Sequence, residues 1–122
     1  MINWKKYYKN IPSSIKINKA TYEVLWTNDF PKDHDQLGES RFGEVKQIVI
    51  NLNQPIKEAV HTYFHEMIHA ISVEYEVNMT EKQVRAFEKS LKVFVENGNM
   101  FKEKEGISAS NKTKWRNTRK VR

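Results

Sequence analysis

A run of residues around His65 and His69 constrains the fold of this chain more than any other part of the sequence. Apolar side chains recur there at steps of three and four residues, which is the period of a helix with one buried face. These side chains are Ile56, Val60, Tyr63, Phe64, Met67 and Ile71. Asn53, Gln54 and Pro55 precede the run and suit a helix start, because proline in the first turn gives up no hydrogen bond. The sequence therefore predicts a helix that opens near Pro55 and packs one stripe of side chains against a core.

The same predicted helix carries a pattern typical of metal-dependent hydrolases. His65 and His69 are four residues apart, so their side chains lie one above the other on a helix, and Glu66 follows the first of them. Two imidazoles in this arrangement can hold one metal ion, most often zinc. A neighbouring carboxylate can take a proton from a water bound to that ion. The pattern predicts His65 and His69 as metal ligands and Glu66 as the general base.

The third ligand of such a site is not fixed by spacing. The chain contains no cysteine, so zinc must be held by histidine and carboxylate groups, and a stable catalytic site has three protein ligands. No histidine follows His69, which leaves His61, His34 or a downstream carboxylate. The downstream carboxylates are Glu74, Glu76, Glu81 and Glu88. Glu81 and Glu88 are seven residues apart on the next predicted helix and project from nearly the same face, so both stay open.

That next helix has clear local start and stop signals. Thr80 and Gln83 form a predicted capping box, in which each side chain bonds to the backbone N–H of the other residue. Gly98 is a suitable stop. The predicted apolar stripe between these signals consists of Val84, Phe87, Leu91 and either Phe94 or Val95.

The region before the motif helix predicts a small sheet. Residues 21–27 alternate between apolar and polar side chains, which is strand periodicity. Residues 37–43 and 44–52 predict a hairpin that turns near Gly43. We therefore predict an α+β fold with a small antiparallel three-stranded sheet packed on the motif helix and the following glutamate-bearing helix. In a metalloprotease of this size, the exposed edge of such a sheet can accept an extended peptide as a further strand.

Length and charge predict one folded domain and a tail. The chain has 122 residues, and its apolar pattern ends near Phe101. We expect a single domain over residues 1–101 and a basic, disordered tail over residues 102–122. The N-terminal aromatic residues Trp4, Tyr7 and Tyr8 predict a short helix that caps the core.

The tail accounts for the net charge of +6, because acidic and basic residues balance in the rest of the chain. Lysine and arginine in the tail could contact nucleic-acid phosphates or an acidic protein, and Trp115 could stack on a base. No apolar run approaches the roughly 20 residues of a membrane span, and no secretory signal precedes the domain. We therefore expect no membrane association and a cytoplasmic location, which is the host cytoplasm if the protein is phage-encoded.

Two segments resemble a known group of metallopeptidases. His-Glu-Met-Ile-His-Ala-Ile at residues 65–71, followed by Thr-Glu-Lys-Gln-Val at 80–84, is similar to small phage and bacterial zinc-metallopeptidase-like proteins. These are related to the ImmA/IrrE group of gluzincins and more loosely to SprT-like domains. In the ImmA/IrrE pattern a glutamate opens a helix of the form Glu-x-x-Ala-x-x-Phe-Ala-x-x-Leu, and Glu81 has that position here. Val84 and Glu88 stand where that pattern has alanines. The resemblance implies a minimal zincin-like fold with Glu81 as the third metal ligand and Glu88 as the alternative.

The resemblance also implies a function. A zinc-dependent metallopeptidase of this kind makes a limited cut in a specific protein, such as a phage or mobile-element regulator. The alternative is a non-catalytic metal-binding interaction module whose basic tail contacts nucleic acid or an acidic partner. A peptidase also needs a group that stabilises the oxyanion, and the sequence offers several candidates. These candidates are His34, His61, Tyr63 and Tyr75.

Overall fold

The computed structural model describes residues 2–30 and 36–98, which form an α+β fold with a four-stranded mixed sheet and two long helices. In chain order the elements are α1 (Trp4–Lys9), β1 (Ser14–Ile17), β2 (Ala20–Thr27), β3 (Gly38–Phe42), β4 (Lys46–Asn51), α2 (Ile56–Glu74) and α3 (Glu81–Glu96). Helix α2 packs across one face of the sheet, and α1 and α3 pack on α2. No helix within the described ranges has both the length and the apolar composition of a membrane span.

The sheet differs from the predicted three antiparallel strands in number and in pairing. Its order is β1-β2-β4-β3, so two antiparallel hairpins lie side by side. The hairpins meet through β2 and β4, which are parallel, with Val24 opposite Ile48 and Trp26 opposite Ile50. The prediction was wrong because a tight turn determines only how adjacent strands pair. The connection from β2 to β3 is long enough to reach the far edge of the sheet, which leaves β4 between the two.

The core lies between the sheet and α2. Its fully buried side chains include Tyr22, Ile48, Ile50, Val60 and Phe64. The predicted N-terminal helix is confirmed as α1: Tyr7 is buried in this core, and Trp4 packs against it. Pro55 is the N-cap of α2, which agrees with the predicted start. This packing fixes the position of α2 on the sheet.

Helix α3 begins and ends as predicted, but the side chains that it buries are not all the predicted ones. The capping box of Thr80 and Gln83 is present, and Gly98 follows the helix with a φ of +76°. Val84 and Val95 are fully buried, whereas the exposed fractions of Phe87 and Phe94 are 58% and 48%.

The predicted stripe was therefore wrong at Phe87, which lines an open apolar groove with Ile68 and Ile71 of α2. Glu88, the next residue along α3, points instead toward α2 and contacts it. A polar side chain thus occupies a position that hydrophobic periodicity alone would give to an apolar one.

Candidate metal centre

Helix α2 places the two motif histidines side by side. His65 and His69 lie one helical turn apart, and their Nε2 atoms are 3.2 Å from each other. Both side chains are only partly covered, with exposed fractions of 21% and 34%. Their rings therefore present a pair of nitrogen atoms at the surface of the helix, where an ion can reach them.

Glu81 completes a group of three donors. It is the first residue of α3, and its Oε1 lies 2.9 Å from Nε2 of His65. Its Oε2 lies 3.5 Å from Nε2 of His69. The ligand atoms of these three residues all lie within 4.8 Å of one another, so the group can hold a metal ion.

The spacing of the donors suits a small divalent ion. Two nitrogens that bind one zinc ion tetrahedrally at its usual bond length stand about 3.3 Å apart. The 3.2 Å between Nε2 of His65 and Nε2 of His69 is close to that value. The distances from Glu81 to the two rings are similar. Little side-chain movement is needed for these three residues to share one ion.

Glu88 contacts the same ring from its other side. Its Oε1 lies 2.8 Å from Nδ1 of His65, whereas Glu81 approaches Nε2. A carboxylate at Nδ1 favours the tautomer that is protonated there, which leaves the lone pair of Nε2 free for a metal ion. The structure thus gives the two glutamates different positions, with Glu81 in the donor group and Glu88 behind the ring of His65.

The other two glutamates lie elsewhere. Glu74 accepts hydrogen bonds from the Tyr22 hydroxyl and the Lys46 ammonium, both at 2.6 Å, and so joins the end of α2 to the sheet. The hydrogen bond from Lys46, followed by that from Tyr22, lowers the pKa of Glu74. Glu76 lies in the exposed loop after α2 with a positive φ of 54°. Neither belongs to the donor group.

Strand β3 holds Glu66. The Ser40 hydroxyl lies 2.8 Å from Oε1 of Glu66 and 2.9 Å from its backbone oxygen, so it can donate to either acceptor. The strand can come this close because residue 38 is glycine. A Cβ atom added at Gly38 would stand 2.6 Å from Cγ2 of Thr62 and 2.9 Å from the backbone oxygen of Val49. Sequence reasoning missed Ser40, because no local sequence pattern predicts a contact between a strand residue and Glu66, which lies 26 residues later in the chain.

A cleft of about 320 Å³ opens beside Glu66 and His65. His61 lines it, and the Nε2 atom of this buried side chain has no hydrogen-bond partner among the described residues. Burial, with a smaller contribution from the charge of Lys92, lowers the pKa of His61. His61 is therefore neutral near pH 7.

The four predicted oxyanion candidates are widely separated. Of these residues, His61 lines the cleft with Glu66. Tyr63 is buried against Trp26 and Phe64, and burial raises its pKa to about 12. Tyr75 is exposed at the C-cap of α2. The loop residue His34 lies outside the described residues, as do the basic residues 102–122.

Comparison of the chain with protein-family models, with curated proteins and with solved structures finds no match in any of the three.

Proposed function

We propose that this protein is a zinc-dependent peptidase in which His65, His69 and Glu81 hold the ion and Glu66 is the general base. The observation that carries the proposal is the convergence of those three donors from two helices, next to a glutamate that a strand holds in place. The order of the residues along the chain, with Glu81 opening the helix after the motif, also agrees with the resemblance to ImmA/IrrE-type gluzincins.

Zinc suits this donor set better than other common ions. Two imidazole nitrogens and one carboxylate are the ligands of many catalytic zinc sites, whereas magnesium and calcium prefer oxygen ligands alone. When bound, zinc polarises a carbonyl oxygen and makes a water molecule acidic enough to attack at neutral pH. The partial exposure of His65 and His69 leaves room for water and substrate.

Glu66 would carry the proton transfers. The hydrogen bond from Ser40 restricts its carboxylate, and both Glu66 and His65 line the same cleft. A carboxylate in this place takes a proton from the attacking water as the oxygen bonds to the peptide carbonyl carbon. It then returns that proton to the nitrogen as the C–N bond breaks.

The open edge of β3 offers a place for the substrate backbone. Within the described part of the chain β3 pairs only with β4, so no strand covers its outer edge, although the Gln36 side chain donates a hydrogen bond to the carbonyl of Gly38 at the start of the strand. An extended peptide can add there as a further strand. Ser40 lies on this strand and contacts Glu66, so a peptide on that edge would pass close to the general base. A substrate that must pair as a strand favours limited cleavage of one protein, such as a phage or mobile-element regulator.

Peptide hydrolysis by Glu66→Gln tests this proposal. The zinc-loaded full chain and the variant are purified in parallel and incubated with a pool of unstructured peptides, and products are identified by mass spectrometry. We expect wild type to cut peptides and Glu66→Gln to keep one zinc ion but lose at least about 100-fold in rate, because the general base is gone. Glu44→Gln, an exposed turn residue at the other end of β3, is the matched control and should cut like wild type.

Equal cleavage by wild type and Glu66→Gln would contradict the role of Glu66. Zinc binding with no cleavage by wild type would instead favour the metal-binding interaction module. In that case, deletion of residues 102–122 should abolish retention on DNA at low salt, because the tail carries the excess positive charge.

A further inference from the structure

Helix α3 is charged on one side only. At about 100° per residue, its seven charged side chains fall within a sector of about 120°. These are Glu81, Lys82, Arg85, Glu88, Lys89, Lys92 and Glu96. A second sector holds Val84, Leu91 and Val95, which are fully or partly buried. The remaining sector, which we call the uncharged face, consists of Gln83, Ala86, Phe87, Ser90, Val93 and Phe94, and all six are exposed. A surface helix usually turns its charged side to water, so an exposed face without charge indicates a contact with another molecule.

The uncharged face is also strongly apolar. Phe87 and Phe94 are 58% and 48% exposed, which presents roughly 200 Å² of aromatic surface to water. Val93 beside them is 46% exposed. Both phenylalanines line the open apolar groove that Ile68 and Ile71 of α2 border. Contiguous exposed apolar surface of this kind often marks a protein–protein contact.

The charges at the two ends of α3 indicate which partner fits. Lys82 lies in the first turn and Glu96 in the last, on the same side of the uncharged face. The helix dipole disfavours both charges where they stand, because the N-terminal end of a helix is partly positive and its C-terminal end partly negative. A second α3 that runs antiparallel, about a two-fold axis near Ser90, sets its Glu96 beside Lys82 and its Lys82 beside Glu96. The end charges are therefore complementary to a second copy of this chain.

We propose that the uncharged face joins two copies of this chain in an antiparallel, two-fold symmetric dimer. Such a contact is self-complementary, so Phe87 of each copy packs against Val93 and Phe94 of the other. The small side chains of Ala86 and Ser90 let the two helices approach closely.

The size of the face predicts a weak, reversible dimer. A helix of 16 residues is about 24 Å long, and one helix-to-helix contact of that length covers less than the roughly 800 Å² per copy of a standard stable interface. Lys89 also lies near the two-fold axis, on the same side as Lys82 and Glu96, where like charges of the two copies meet. We expect a dissociation constant of roughly 10–100 µM. Glu81 and Glu88 project from the charged sector, so the dimer leaves the metal donors uncovered and does not depend on the proposed peptidase function.

Sedimentation equilibrium of the full chain tests the dimer, over a range of about 1–500 µM that brackets the expected constant. Val93→Ser tests the apolar contact, because serine has nearly the helix propensity of valine. Val45→Ser is the matched control, since Val45 lies in the turn between β3 and β4 and is 59% exposed. We expect Val93→Ser to raise the dissociation constant of the dimer about three- to ten-fold and Val45→Ser to leave it unchanged.

Charge reversal tests the antiparallel arrangement. Lys82→Glu and Glu96→Lys each bring like charges together at both ends of the contact, and the double variant brings opposite charges together again. Both changes suit the helix dipole, so they do not weaken α3 itself. We expect each single variant to raise the dissociation constant about three- to ten-fold, and the double variant to return it to within about two-fold of wild type. Lys89→Gln should lower the constant about two-fold or more, because it removes the like charges near the axis.

Sedimentation as a single chain at every concentration would overturn the proposal. Equal losses in Val93→Ser and Val45→Ser would overturn it as well, and so would a dimer that the charge reversals leave unchanged. Dimerisation without any peptide cleavage would leave this proposal standing and would count only against the peptidase function.

Discussion

The carboxylate of Glu88 lies 2.8 Å from Nδ1 of His65, on the opposite side of the ring from the carboxylate of Glu81. A metal-binding histidine commonly donates its second N–H to a carboxylate, which fixes the tautomer and makes the ligand nitrogen more basic. Glu88 is in position for this role. The two glutamates that spacing could not separate thus act on the same histidine in different ways.

Loss of Glu88 should weaken metal binding without abolishing it. We expect Glu88→Ala to raise the zinc dissociation constant about 10–100-fold, because the ring of His65 loses its orienting partner. The constant can be measured by competition with a chelator of known affinity. Glu96→Ala is the matched control, since Glu96 is an exposed residue of the same helix. An unchanged constant in Glu88→Ala would show that the contact with Nδ1 does not support the site.

A methyl group at residue 38 should separate β3 from α2. The Cβ of Gly38→Ala would meet Thr62 and the backbone of Val49 at less than 3.0 Å, so the strand or the helix must move. We expect a loss of about 1–3 kcal/mol in the free energy of unfolding, measured by urea denaturation.

Gly43→Ala is a matched control for this variant, because a Cβ added at Gly43 meets no atom within 4 Å. It should change stability much less. If the two variants are equally stable, the close approach of β3 to α2 is not what requires glycine at position 38.

The contact of Glu74 with Lys46 and Tyr22 should make stability depend on pH. Its pKa in the folded protein is lowered from the ordinary value of 4.5, so the unfolded chain binds the proton more readily. The stabilisation from this carboxylate is therefore present above pH 4.5 and is lost as pH falls through the lower folded pKa. We expect wild type to unfold at a higher temperature than Glu74→Gln at pH 7, with a difference that shrinks below pH 4. A difference that stays constant from pH 7 to pH 3 would contradict this.

The parts of the structure that follow from local chemistry were predictable. The capping box at Thr80 and the glycine stop at Gly98 are determined by neighbouring residues, and both are present. The helical periodicity around the motif likewise identified Val60, Tyr63 and Phe64 as buried side chains of α2.

The parts that depend on distant contacts were not predictable in the same way. Strands β2 and β4 pair in parallel, and no tight turn joins them that could have indicated this pairing. The run of buried residues from Ile48 to Ile50 was one available signal, because strands covered on both faces have continuous apolar runs. The face that α3 packs against α2 was not predictable for a different reason. Glu88 faces inward because His65 gives it a partner, and that contact becomes visible only when both helices are in place.

A zinc titration of wild type and Glu81→Gln by isothermal calorimetry tests whether the three donor residues bind one ion together. If His65, His69 and Glu81 share one ion, wild type binds one zinc per chain, and the variant, which keeps the shape of the side chain without its charge, binds it at least about 100-fold more weakly. Equal affinity in wild type and Glu81→Gln, or no binding by wild type at all, would show that His65, His69 and Glu81 do not form a shared zinc site.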